Sequence, residues 1–326
     1  MNHFSFIVND EPYSLWDPDP ATRTTEFLDS IDPAFFSYLA EAHAEKLDSA
    51  EHKRRVATAT RMAYLHGIET LMTLAAAAVQ APQAPYAWVA LAKTDLLRGV
   101  IERISKGDPT LHSEITQWNR TWAGLAQRVF AHCTQENGWP KTAESFGRLW
   151  SIFAGEFLNE MSQAEYNSLK HGFRIRSSGV KIAFGLEHQF GVAPPPEEMK
   201  YLGGSDTGST FYAIERAGPD VPGTRSKRSR RHTVNWEPEP MIRGLQLIDV
   251  SIRNIVAFIR IANGAQPHKI QFHRLEGVED LPALLDDSIS VRTSSFDTYI
   301  PDAEIPATTR KELLAEIEQA FATAQP

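Results

Sequence analysis

The hydrophobic period of the chain changes at Gly172, and that change constrains the fold more than any other feature. Before it, apolar residues recur three and four apart. Met62, Leu65, Ile68, Leu71, Met72 and Ala75 form one such stripe in a helix expected over residues 50–79. Further helices are expected over residues 33–47, 88–104, 111–134 and 142–161, with Asp32 capping the first and Pro33 in its opening turn. After Gly172, Phe173-Arg174-Ile175-Arg176 and Val180-Lys181-Ile182-Ala183-Phe184 alternate apolar and polar residues around Ser177-Ser178-Gly179, a hairpin pattern. Residues 210–214 and 233–236 suit strands as well. The helical period returns after Pro240, where Leu245, Ile248, Ile252, Ile255, Val256 and Ile259 make a second stripe.

The expected fold is therefore mainly α, a helical bundle with a β-hairpin-rich insertion. Its parts are an extended N-terminal arm (1–32), the bundle (33–171), a β-rich insertion with a basic loop (172–237), a helix returning to the bundle (238–264) and an acidic C-terminal tail with a terminal helix (265–326). With 42% apolar and 23% charged residues the chain can bury a core. The single cysteine, Cys133, excludes an internal disulfide and any cysteine-cluster zinc site. No cofactor or metal motif is present. The first ten residues have no basic leader region, and the apolar run 71–79 is far short of the ~20 residues of a membrane span. A cytoplasmic protein without a membrane partner is expected.

One segment carries chemistry. In a helix over Glu165-Tyr166-Asn167-Ser168-Leu169-Lys170-His171, Asn167, Lys170 and His171 gather on one side, with Arg174 just beyond Gly172. A histidine flanked by cations suits metal-independent RNA cleavage, the imidazole as general base and the cations on the phosphate. The other reading is a polar helix end satisfying its own carbonyls. On the preceding long helix, Glu69 joins His66 and Thr73 in a polar stripe. A buried carboxylate there needs a partner, and His171, Lys170 and Arg174 are candidates.

Tyr166-Asn167-Ser168-Leu169-Lys170-His171, on a late helix of a helical unit, resembles the motif region of HEPN-type domains. The helix around Glu69 is similar to the opening helix of such domains. The resemblance covers residues 50–175. It implies a metal-independent ribonuclease of a toxin or defence type, or an inactive relative, and a homodimer with the motif helices at its interface. The family pattern sets an arginine before the histidine; here Tyr166 holds that place, and the substitution favours an inactive relative.

The second candidate is Arg225-Ser226-Lys227-Arg228-Ser229-Arg230-Arg231-His232, expected as a mobile basic loop able to neutralise phosphates. The formal net charge of −8 conceals it. Residues 1–165 carry 14 basic and 21 acidic side chains, residues 166–275 carry 16 and 9, and residues 276–326 carry 3 and 11. An acidic tail set against a basic middle is able to compete with nucleic acid. Three functions follow in order: a catalytically silent module binding RNA or a protein partner, an endoribonuclease using His171, or a structural or regulatory protein without a nucleic-acid role.

Overall fold

The computed structural model describes residues 3–49, 51–133, 138–275, 277–295 and 300–323; the expected helix ends at 50 and 134 lie outside these. The chain divides into two compact units, one of residues 1–166 and 237–288, the other of residues 167–236 and 289–326.

The first unit opens on a hairpin, β1 (His3–Val8) and β2 (Glu11–Trp16), in place of an extended arm. Asn9 takes φ +59 in the two-residue turn, a conformation asparagine tolerates. Phe6 and Val8 alternate into the core. The buried Gln80 side chain holds the turn, accepting from Asn9 N at 2.8 Å and donating to Asn9 O at 3.1 Å. Then come α1 (Pro20–Ser30), capped by Asp19 with proline in its first turn, and α2 (Ala34–Leu47). The axis of the unit is α3 (Lys53–Gln80), buried along most of its length against α9 (Pro238–Ala262). Between them in sequence lie α4 (Pro85–Leu91), α5 (Thr94–Lys106), α6 (Trp122–Val129), α7 (Trp139–Leu158) and α8 (Glu160–Lys170). Among the described residues α3 is the one helix long and apolar enough to cross a membrane, and most of that stretch is buried inside the protein.

Two expected helices change. Residues 88–104 form parts of α4 and α5, separated at Ala92 and Lys93. Residues 107–121 are irregular, with Gln117 and Arg120 at positive φ, so the helix expected over 111–134 does not begin until α6 and Trp118 lies outside it. Trp118 instead donates to Ser113 Oγ at 3.1 Å.

The second unit carries a four-stranded antiparallel sheet in the order β3 (Ile175–Ser177), β6 (Gly208–Arg216), β7 (Lys227–Asn235), β8 (Thr293–Ser295). A separate two-stranded sheet joins β4 (Lys181–Phe184) to β5 (Lys200–Gly204). The expected hairpin of residues 173–176 with 180–184 is thus absent: β3 pairs with β6, and β4 with β5. The chain parts at Gly179, where a Cβ would lie 2.2 Å from the Ser205 carbonyl oxygen. Beyond it, the buried Asn235 side chain accepts from Val180 N and donates to the carbonyls of Val180 and Val291. The last element is α10 (Arg310–Thr323).

The mainly-α expectation is corrected: helix makes up 54% and strand 16%, an α and β mixture. The cause is local. Strand alternation in residues 3–8 and 227–232 is hidden by their short length and by charge, and the irregular tail supplies β8 to β7.

Candidate functional site

Helix α8 carries the motif residues. It ends at Lys170; His171 N donates to Asn167 O at 3.0 Å, then Gly172 (φ +101) and Phe173 (φ +52) reverse the chain. Arg174 N closes the turn by donating to Ser168 O at 2.7 Å. Gly172 is the natural residue for such a reversal, whereas Phe173 adopts positive φ at some cost in strain. Asn167 is half-buried; Lys170, His171 and Arg174 are exposed.

Tyr166 is engaged in the first unit. Its phenol donates to Glu69 Oε2 at 2.9 Å and lies 3.1 Å from His66 Nδ1. Burial pushes the Tyr166 phenol up from its ordinary value, and the Glu69 charge adds to the shift. Glu69 is half-buried, so the carboxylate singled out on α3 finds a phenol as one partner. The residue just before Tyr166 on α8, Glu165, is wholly buried. It receives Arg61 Nε at 3.0 Å and Nη2 at 2.8 Å, while Glu156 on α7 takes Nη2 at 2.9 Å. Burial alone would lower the Arg61 pKa; the two carboxylates reverse this and raise it. This pair escaped the sequence reading, although an arginine inside the apolar stretch of α3 is its signal.

The basic run is not a mobile loop. From Lys227 it is strand β7, paired with β6 along its whole length. Period-two geometry therefore sorts its cations onto two faces. Arg228, Arg230 and His232 point one way. Glu215 on β6 lies 3.5 Å from Arg228 Nη2, 3.7 Å from Arg230 Nη1 and 3.5 Å from His232 Nε2. The tail adds Asp302 and the Ile300 carbonyl, 3.0 and 2.8 Å from Arg228 Nη1. Arg225, before the strand, donates its backbone N–H to Thr308 O at 2.8 Å. The acidic tail thus answers the basic run on this face.

Lys227, Ser229 and Arg231 point the other way and are exposed. Their cross-strand neighbours are Arg216, Ile214 and Tyr212. Tyr212 and Ile214 are 65% and 64% exposed. Arg176 on β3, opposite Thr210, joins the same face. Arg216 lies 2.7 Å from the exposed Asp220. Glu215 also escaped the sequence reading; the i, i+2 spacing of Arg228, Arg230 and His232 was the available signal.

No protein-family model, curated protein or solved structure matches the chain. Among the described residues no group of three or more His, Cys, Asp or Glu side chains is placed to hold a metal ion. Cys133 is half-exposed in a short 3-10 turn and forms no disulfide.

Proposed function

We propose that the protein binds single-stranded RNA on the outer face of β6 and β7 and does not cleave it. The observation that carries this reading is the sorting of side chains across the two strands. Arg228 and Arg230 lie beside Glu215 on one face, while Arg176, Arg216, Lys227 and Arg231 share the other face with an exposed Tyr212. A strand face with cations spaced along it and an exposed ring among them offers phosphate contacts and base stacking together. A duplex hides its bases from such a ring, so single strands are favoured. The absence of cleavage rests on Tyr166, which holds the place of the family's arginine and spends its hydroxyl on Glu69.

The test is fluorescence anisotropy with a labelled single-stranded RNA across a salt series in EDTA. Lys227→Ala with Arg231→Ala is expected to reduce the slope of log affinity on log salt by about 1.4, roughly 0.7 for each phosphate no longer neutralised. Tyr212→Ala is expected to weaken binding by ~1–3 kcal/mol with little change in slope. Affinity unchanged in both variants overturns the proposal. Gel analysis of the same mixtures reads cleavage, and product lost in His171→Ala would restore the ribonuclease.

A further inference from the structure

The first unit contains a cavity of about 370 Å³ that the RNA face does not use. It is lined from α1 and its end by Phe27 and Ile31, from α3 by His66, Glu69, Thr70 and Thr73, and elsewhere by apolar residues such as Val89 and Leu97. Its volume falls within the ~300–1,000 Å³ of small-molecule sites.

The hydrogen bonds on its wall define what it can take. Thr70 donates its hydroxyl proton to His66 O at 2.9 Å, and Thr73 donates its own to Glu69 O at 2.7 Å. Each hydroxyl therefore presents only lone pairs to a ligand. Tyr166 has one proton and gives it to Glu69 Oε2. The phenol oxygen can then only accept, so His66 Nδ1, 3.1 Å away, must carry the proton it shares with Tyr166. In the neutral ring this leaves Nε2 as an acceptor. The polar groups of the wall thus offer acceptors: two hydroxyl oxygens, a carboxylate and an imidazole nitrogen. No lysine or arginine stands among the described lining residues. An anion would meet like charge and lone pairs; a group rich in N–H donors meets complementary ones.

We propose that this cavity binds a small primary ammonium ion with an apolar body, its charge set against Glu69 and its N–H groups against Thr70, Thr73 and His66. The remaining walls, Phe27, Ile31, Leu74, Val89 and Leu97, accommodate the body.

The experiment titrates the full-length protein with phenethylammonium, and separately with the anion 3-phenylpropionate, by calorimetry and by two-dimensional NMR. Phenethylammonium is expected to bind and to shift signals from α3 and α5, with the anion at least about tenfold weaker. Glu69→Gln is expected to lose about tenfold in affinity. Because that change also disturbs Tyr166, Leu97→Trp serves as a second variant. It fills the cavity, keeps Glu69, and is expected to abolish binding while circular dichroism stays unchanged. Equal affinity for cation and anion overturns the proposal, as does binding of the cation weaker than about 10 mM, or retained in the folded Leu97→Trp protein.

Discussion

Arg61 crosses the interior of the helical unit to meet Glu165 and Glu156, and the three form a charge cluster with almost no exposure at its centre. Removing one partner leaves an uncompensated buried charge, a loss of ~3–5 kcal/mol. Glu165→Leu is therefore expected to lower the urea midpoint sharply, and a shift under about 1 kcal/mol would show the pair to be dispensable. Tyr166 makes a different demand. Its folded-state pKa is raised, so the stability it adds is fully present below the ordinary tyrosine value of ~10 and is lost as pH climbs toward the folded value. Of the eight tyrosines, two are expected to ionise late in an ultraviolet titration, Tyr166 and Tyr86, the latter pushed up by burial and by Asp17; Tyr166→Phe is expected to remove one of the two from that phase. Phenolate formation at Tyr166 near pH 10 would contradict the buried contact. The polar stripe of His66, Glu69 and Thr73 was legible in the sequence, since i, i+3, i+7 spacing needs no tertiary knowledge. Its phenol partner was not, because Tyr166 lies 97 residues away and only packing brings it there.

At the scale of elements, β7 is where charge density misled the reading. Five cations in eight residues suggest a solvated loop, yet the strand survives because every second cation meets Glu215 or the tail. Hydrogen exchange separates the two descriptions. Amides of residues 227–235 that bond to β6 or β8 are expected to be protected by orders of magnitude, where a loop would exchange at the intrinsic rate. Gly208 offers a mutational check on the same sheet. A Cβ there would lie 2.5 Å from the Val234 carbonyl oxygen and 2.8 Å from Gly179 Cα, both backbone atoms. Gly208→Ala is thus expected to lower the thermal midpoint measurably, and an unchanged midpoint would mean that the strands part without cost. Long helices such as α3 and α9 were readable because their stripes repeat over many turns. Residues 107–121 were not, since two positive-φ residues that are not glycine leave no sequence signal.

Across the whole molecule, the three-block charge pattern is the sequence feature that translates most directly into structure. The basic middle and the acidic tail meet within the second unit, where β8 pairs with β7 and Asp302 reaches Arg228. Deleting residues 289–326 is therefore expected to do more than uncover cations. It strips an edge strand from β7, and an unpaired edge invites association. Light scattering should show aggregation of the truncated chain, whereas Asp302→Asn should stay monodisperse with RNA affinity raised only modestly. A truncated chain as well behaved as the full one would show the tail to be an accessory. The order of segments along the chain has one more consequence, which concerns synthesis. Helix α3 is made early, but its cover α9 is made only after the entire β-rich stretch has left the ribosome. At roughly 5–20 residues per second, the part of α3 that α9 covers waits about 10–40 s for its partner in each round of translation. Slowing elongation between the codons for Gln80 and Pro238 is expected to lengthen that interval and, with it, the nascent chain's exposure to aggregation.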